Sequence, residues 1–253
     1  MAYSILQSVL GAVSTAATCT ATYTSNLSPG SKLIAFVSED INVTFYPSGV
    51  ALNDTAATAL ANIAEVLYPS TTGGLSVWVV DTPSDAVGTK PTVTATLSGS
   101  FGSVVGIMEV SGLALGSTAA AVIDGTYGTD SGSASPAVSG AYSDNYTGEL
   151  LVGVVGDPGN TTTYTVSGGS WSQLFQTTAN SAAQLVVGTQ NSAGTGESFS
   201  WAISGAATWG SILFAFKLAA ATGTPGPVQS PQTWSRVAVI GGRSGRRGAS
   251  HSR

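Results

Sequence analysis

Short β-prone runs separated by turn residues recur along most of the chain, and they constrain the fold more than any other feature. In residues 18–24 threonines alternate with apolar or aromatic residues, and in residues 92–97 they alternate with Val93, Ala95 and Leu97. Period-two alternation is the pattern of a strand with one buried face. We therefore expect these three apolar side chains to point into a core.

Other runs are almost continuously apolar, which is typical of strands buried on both faces. These runs are Leu33–Val37, Leu75–Val80, Val104–Val110, Leu150–Val155, Gln184–Val187 and Ile212–Phe216. Turns rich in Gly, Pro, Ser and Asn separate the runs about every ten residues. The pattern predicts an all-β fold of about a dozen strands, a two-sheet antiparallel β-sandwich of jelly-roll type.

Residues 54–67 allow two interpretations. Asp54 is a possible helix N-cap, and Leu60, Ile63 and Leu67 follow at helical spacing. A short helix is one alternative. The other is a loop that leads into a strand at 62–68.

The composition favours a folded body with an unusual surface. Hydrophobic residues make up 43% of the chain and charged residues only 8%, against roughly 25% charged in an ordinary soluble domain. Ser, Thr, Asn and Gly must therefore supply the polar surface, as in extracellular or virion β-proteins. Cys19 is the only cysteine, so no intrachain disulfide is possible, which mildly favours assembly in a reducing cytoplasm.

The first 21 residues are apolar and small, but they contain no Lys or Arg, and polar residues interrupt them. We interpret them as the first strands of the fold and expect no signal peptide. The sequence has no run of eighteen apolar residues, so we expect no membrane insertion.

Charge and composition divide the chain into three parts. A body at 1–217 contains all thirteen acidic residues and three lysines, whereas all five arginines lie after residue 235. A Pro/Gly/Ala linker at 218–232 leads to a β-prone, arginine-rich arm at 233–253. The arm residues expected to make assembly contacts are Trp234, Arg236, Val237, Val239, Ile240, Arg243, Arg246, Arg247 and Arg253.

The arm has several possible roles. It could add a strand to a sheet edge of its own body or of a neighbouring subunit, or dock on an acidic protein surface. It could also stay disordered. Phosphate neutralisation by the arginines would suit nucleic acid, but an acidic body would repel DNA, so we do not expect a nucleic-acid partner.

The order of several motifs resembles a known domain family. These motifs are Leu6–Ser8, Ser31–Val37, Gly74–Val79, Thr92–Gly99, Met108–Leu113, Glu149–Gly153, Gly169–Trp171 and Trp209–Lys217. The chain from about residue 5 to 217 is similar to the β-sandwich domain of virion proteins of phages that infect actinobacteria, which also occurs in bacterial surface proteins. It departs from that family at residues 40–61 and in the arm.

The resemblance implies a non-enzymatic structural or adhesive module. Its motifs are hydrophobic and strand-like, so they specify a fold better than a function. With no signal peptide or anchor expected and a short assembly tail present, a minor tail protein or a capsid decoration protein is the expected role. The expected partners are other virion proteins, neighbouring copies of the chain and host surface glycans.

Catalytic chemistry has few candidates. The only histidine, His251, lies in the arm, which excludes a histidine-based triad within the body. A glycosidase would need two carboxylates, and Glu109 and Glu149 are the candidates. The alternative is that Glu109 is a bonded or solvent-facing strand residue and that Glu149 only begins a strand.

Binding sites are the remaining possibility. Asp124, Asp130, Asp144 and Asp157 lie in loops that could bind calcium, but their spacing matches no EF-hand, and such residues usually cap turns. We therefore expect no metal and no cofactor.

Exposed aromatic residues could contact a glycan. Tyr142, Tyr146 and Trp171 are the candidates, whereas Trp78, Trp201 and Trp209 fit core positions.

The expected function is therefore a virion structural protein, assembled in the host cytoplasm, that attaches through its arm and displays its sandwich outward. A secreted or cell-surface carbohydrate-binding module is the alternative, and a glycoside hydrolase is a third hypothesis.

Overall fold

The computed structural model describes residues 2–40, 47–69, 73–159, 163–166, 170–178, 181–194, 196–204 and 208–220. One compact unit spans Met1–Ala220. The linker beyond 220 and the arm residues lie outside the described residues. The strands are β1 Ser4–Leu10, β2 Thr18–Thr22, β3 Lys32–Asp40, β4 Gly49–Leu52, β5 Ala61–Leu67, β6 Gly74–Asp81, β7 Thr92–Thr96, β8 Gly102–Ser111, β9 Ile123–Gly132, β10 Ala137–Val138, β11 Leu150–Asp157, β12 Tyr164–Thr165, β13 Ser172–Gln176, β14 Gln184–Asn191, β15 Ser200–Ile203 and β16 Trp209–Phe216.

The first eight strands and the last eight form the same two-sheet unit. In the first repeat, residues 4–111, a five-stranded sheet has the order β1-β8-β3-β6-β5 and a three-stranded sheet has the order β2-β7-β4. In the second repeat, residues 123–216, the orders are β9-β16-β11-β14-β13 and β10-β15-β12. Each strand of the second repeat therefore occupies the place of the strand eight positions earlier.

Each repeat is an antiparallel β-sandwich, and the two repeats stack into four layers. In β3, Leu33, Ala35 and Val37 face an outer core under the three-stranded sheet, while Ile34 and Phe36 face an inner core shared with the second repeat. Both faces of the strand are buried, which is why its sequence is continuously apolar instead of alternating. The expected all-β sandwich is confirmed, with two stacked sandwiches in place of one.

The two five-stranded sheets meet as the halves of a symmetric dimer would. Strand β3 contacts its counterpart β11, and most of the other contacts come in reciprocal pairs, such as β6 with β11 and β14 with β3, or β1 with β13 and β9 with β5. Such reciprocity is the mark of an isologous, two-fold interface. At this interface the Tyr68 side chain packs against Gly156 and Gly210. A Cβ at Gly156 would lie 2.4 Å from the Tyr68 hydroxyl oxygen, and a Cβ at Gly210 would lie 2.9 Å from the Tyr68 ring.

The two outer cores are filled from opposite sides. In the first repeat the large residue, Trp78, lies on the five-stranded sheet, and Ala95 of β7 is small and fully buried. In the second repeat Gly188 lies opposite Gly153 of β11, as Trp78 lies opposite Ala35 of β3, and the large residue is Trp201 of β15, which is fully buried. A Cβ at Gly188 would lie 2.8 Å from the Trp201 ring. The large side chain thus comes from the five-stranded sheet in the first repeat and from the three-stranded sheet in the second, and each core is filled.

An ion pair between a buried lysine and a partly exposed aspartate links the connection between the repeats to the first repeat. Lys32 is 1% exposed, and its ammonium donates to Asp81 Oδ1 at 2.5 Å and to the carbonyl of Gly116 at 2.6 Å. The amide of Gly116 in turn donates to Asp81 Oδ2 at 2.7 Å. Gly116 lies between β8 and β9, so this network ties the connection to the first repeat.

Several details of the sequence interpretation are settled here. The alternating runs form β2 and β7, and Val93, Ala95 and Leu97 are buried as expected. The helix alternative for 54–67 is wrong: Asp54 Oδ1 accepts from the amide of Thr58 in a turn, and the chain then forms β5 because it pairs with β6.

The only helix among the described residues is α1, Ala119–Val122, which no pattern predicted. Nowhere in the described part of the chain is a helix long and apolar enough to cross a bilayer.

Candidate functional site

Three neighbouring strands of the second repeat bring polar side chains together at one edge of the sheet. Strand β16 lies between β11 and β9, and it runs antiparallel to both. The start of β11, the end of β16 and the start of β9 therefore meet, which places Glu149, Lys217 and Asp124 side by side. With Tyr146 and Leu218 they line a cavity of about 370 Å³.

Two carboxylates of this cavity lie in different environments. Asp124 accepts from the Asn145 side chain at 2.8 Å and also from the Asn145 amide. Burial alone would raise its pKa, but these hydrogen bonds and nearby Lys217 hold the pKa of Asp124 below its usual value. Asn145 and Lys217 thus keep Asp124 ionised.

Glu149 is the perturbed member of the pair. Its side chain is buried, with only 3% of the residue exposed, and its Oε2 has no hydrogen-bond partner. Burial first, and then the negative charge of Asp124, raise the pKa of Glu149 to about 7. A buried carboxylate with an unpaired oxygen costs free energy and is characteristic of sites that meet a ligand.

An exposed aromatic ring stands at the mouth of the cavity. Tyr146 is 66% exposed, the largest exposed fraction among the exposed large hydrophobic side chains. The Ser192 hydroxyl lies between the Tyr146 carbonyl, at 3.1 Å, and Asp144 Oδ2, and both oxygens are placed to accept its one hydrogen. The loop that presents Tyr146 is thereby fixed from within, while its ring is left to solvent.

The other two glycan candidates are placed differently. Tyr142 is half-buried, and its hydroxyl donates to Glu197 Oε2 at 2.9 Å. Trp171 is half-buried and packs edge-on against Phe199 and Trp201 at ring distances of 5.9 Å and 5.6 Å. Of the three, only Tyr146 lines the cavity.

The corresponding end of the first repeat is closed by hydrogen bonds. Glu109 is 1% exposed. Its Oε1 accepts from the Ser28 amide and from Ser31 Oγ, both at 2.7 Å, and its Oε2 accepts from Gln7 at 2.6 Å. Ser31 holds the place that Glu149 holds in the second repeat. Glu109 is therefore a structural carboxylate, and it lies in a different repeat from Glu149.

The four aspartates considered for calcium do not form one site. Asp124 lies at the start of β9, whereas Asp157 lies at the far end of β11 and accepts from the Gly159 amide at 2.7 Å and from the Tyr164 hydroxyl. Asp130 lies within β9 and accepts from the amide of the next residue, Ser131, at 2.7 Å. Among the described residues no three His, Cys, Asp or Glu side chains converge to hold a metal ion.

A second buried carboxylate was not singled out by any sequence pattern. Glu39 near the end of β3 is 0% exposed, and neither of its side-chain oxygens has a hydrogen-bond partner. Burial raises the pKa of Glu39 to about 8. It lies opposite Ser103 in the sheet, beneath the outer core of the first repeat. The sequence does contain a signal for the burial of Glu39. Side chains alternate along β3, so Glu39 points to the same side of the sheet as the buried Val37.

The assembly-arm residues Trp234, Arg236, Val237, Val239, Ile240, Arg243, Arg246, Arg247 and Arg253 lie outside the described residues. Their expected contacts stay predictions. The role of Lys217 was also missed, because it joins Glu149 and Asp124 only through the strand order.

Comparison with protein-family models, with curated proteins and with solved structures finds no match to this chain. The resemblance to the virion β-sandwich domain therefore rests on the sequence motifs alone and stays a hypothesis.

Proposed function

We propose that this chain is a non-enzymatic structural protein of a phage particle, a minor tail or capsid decoration protein. Its body is displayed outward for adhesion, and residues 218–253 attach it to other virion proteins. The alternative location is the cell surface or the extracellular space.

The strand order of the two repeats carries this proposal. In a jelly roll, four strands of one sheet follow the order 1-8-3-6 and those of the facing sheet begin 2-7-4. The first repeat has both orders, with β5 added beside β6. The second repeat follows the same orders with strands eight positions later. This supports a tandem jelly roll, an architecture common in viral capsid and lectin domains.

The position of the last strand supports an attachment role for the arm. Strand β16 lies inside its sheet, between β11 and β9, and Leu218 pairs with Leu113 directly after it. The five-stranded sheet of the second repeat is therefore complete by residue 216. No described strand of this sheet requires a residue after 220, and the separation of the arginines from the acidic body favours an attachment role for them.

The test is to delete residues 221–253 in the genome that encodes the chain and to quantify the protein in purified particles by mass spectrometry. We expect the truncated protein to keep the far-ultraviolet circular dichroism and thermal transition of the body but to be absent from particles. Truncated protein incorporated at the full-length level would contradict the attachment role.

A matched pair of arm variants separates charge from strand pairing. Replacing the five arginines by glutamine removes the charge, and Val237→Asp with Val239→Asp breaks the β-prone run. Loss of incorporation only in the arginine variant would favour docking on an acidic surface, and loss only in the valine variant would favour strand addition.

A carbohydrate-binding module is the second candidate, because the cavity of the second repeat combines an exposed ring with an unpaired carboxylate oxygen. A glycan array with the purified chain tests this function apart from any particle. A glycoside hydrolase has less support, since Glu109 is fully bonded within its own repeat.

A further inference from the structure

The cavity beside Tyr146 presents polar groups that are only partly bonded within the protein. Glu149 is 3% exposed, lines the cavity and leaves Oε2 unpaired. Lys217 lines the same cavity, and its ammonium donates to one partner, the Ala120 carbonyl at 2.6 Å. An ammonium has three donors, so a ligand would meet both an acceptor and a donor.

We infer that this cavity binds one sugar residue of a surface glycan, with the apolar face of the ring stacked on Tyr146. Neighbouring hydroxyl groups of the sugar would donate to Glu149 Oε2 and accept from Lys217. Glu149 directly precedes β11 and Lys217 directly follows β16, and these two strands are paired. The spacing between the two side chains is therefore set before binding. The cavity volume, about 370 Å³, lies at the lower end of the range for small-molecule sites.

A polyhydroxylated ligand fits this chemistry better than a divalent cation does. The Lys217 ammonium in the cavity wall would repel a cation. Both oxygens of Asp124 already accept from Asn145, and calcium needs six or more oxygen ligands. A sugar hydroxyl can donate and accept at once, which the mixed pair of Glu149 and Lys217 requires.

The second repeat alone carries this site. In the first repeat, Ser31 replaces Glu149, and its hydroxyl donates to Glu109 at 2.7 Å. The Glu109 oxygens are all occupied by Ser28, Ser31 and Gln7. One glycan site per chain is therefore expected, despite the internal duplication.

This site rests on the adhesive part of the proposed function, but its test needs no particle, so the two can fail separately. The full-length chain, labelled with nitrogen-15, is titrated at pH 8 with methyl glycosides of glucose, galactose, mannose, arabinose and N-acetylglucosamine. We expect at least one glycoside to shift the amide signals of Asp124, Tyr146 and Glu149 in a saturable manner.

Variants decide whether the shifts report this cavity. Tyr146→Ala and Glu149→Gln should each weaken the affinity about tenfold or more. Tyr127→Ala is the matched control, because Tyr127 is also an exposed tyrosine, at 40%, but does not line this cavity. It should leave the affinity unchanged. Saturable binding that survives both site variants would overturn the inference, as would no response to any glycoside.

The pH dependence gives an independent readout. Between pH 8 and pH 6, Glu149 is the group of the cavity expected to gain a proton, because its pKa is raised to about 7. The facing groups are Asp124, whose pKa is lowered, with Lys217 and Asp144 nearby. Affinity should fall as the pH drops to 6 in the native chain but not in Glu149→Gln. Calcium chloride that shifts the same signals, with no effect of the glycosides, would contradict a sugar site in favour of a cation.

Discussion

Glu39 shows at the scale of one residue how a buried charge makes stability depend on pH. Its side chain is fully buried without a hydrogen-bond partner, and burial raises its pKa to about 8 from 4.5. The folded state therefore holds the proton of the Glu39 carboxyl group more tightly than the unfolded state does. The contribution of this proton to the free energy of unfolding is fully present below about pH 4.5 and is lost as the pH rises towards 8.

We expect Glu39→Gln to remove much of this loss. At pH 8.5 the variant should exceed the native chain in free energy of unfolding by on the order of a few kcal/mol, with a smaller difference at pH 5. Urea denaturation at both pH values measures this. Glu65→Gln, at an exposed position of β5, is the control. An equal effect of Glu39→Gln at the two pH values would contradict the assignment.

The Lys32–Asp81 pair gives a second prediction at this scale. Asp81→Ala leaves the buried ammonium of Lys32 with only the Gly116 carbonyl. Because the Asp81 carboxylate is itself partly exposed, we expect a loss of about 1–3 kcal/mol, below that for a fully buried pair. Lys32→Met keeps the volume and removes the charge, so its cost should be much smaller. Thermal denaturation of both variants is the measurement. Equal losses would show that packing, and not the unpaired charge, determines the effect.

Residue by residue, the sequence predicted exposure better than partnership. Val93, Ala95 and Tyr146 have the burial that their patterns indicate, because alternation and loop composition are local properties, whereas Tyr142 and Trp171, also expected to be exposed, are half-buried. The pairing of Glu149 with Asp124 and Lys217 depends on β16 lying between β11 and β9, which no local pattern contains. Local sequence also does not show that Glu109 accepts hydrogen bonds from Ser28, Ser31 and Gln7. It therefore cannot distinguish this structural carboxylate from a catalytic one.

At the scale of strands, several glycines lie where an aromatic ring from another sheet packs against the backbone. A Cβ at Gly106 of β8 would lie 2.3 Å from the Phe175 ring in the inner core. Gly106→Ala should therefore destabilise the fold by about 1–3 kcal/mol. Gly49→Ala is the matched control, since nothing lies within 4 Å of its Cβ. Comparable urea midpoints for the two variants would contradict this reading of the inner core.

The individual strands were predictable, but their duplication was not. The continuous runs form β3, β6, β8, β11, β14 and β16, as expected from burial on both faces. The sequence does not reveal the repeat because corresponding positions carry different side chains: Trp78 corresponds to Gly188, and the large residue of the second outer core is Trp201 of the three-stranded sheet. Since each core is filled from the opposite layer, the repeats share a backbone pattern without sharing a sequence.

At the scale of the molecule, the two repeats behave as a dimer within one chain. A fragment of residues 1–116 would expose the inner face of its five-stranded sheet, an apolar surface too large for a monomer in water. We expect this fragment alone to self-associate or precipitate, and to form a soluble one-to-one complex when co-expressed with residues 117–253. Size-exclusion chromatography with light scattering measures both. A stable, monomeric fragment would contradict the shared inner core.

The most direct test of the proposed function is electron cryomicroscopy of particles purified from the phage whose genome encodes the full-length chain. The account predicts a compact β-rich density for residues 1–220 outside the particle wall, joined to it only by density for residues after 220. A body embedded in the wall through its own sheets, or a particle that lacks the chain altogether, would contradict it.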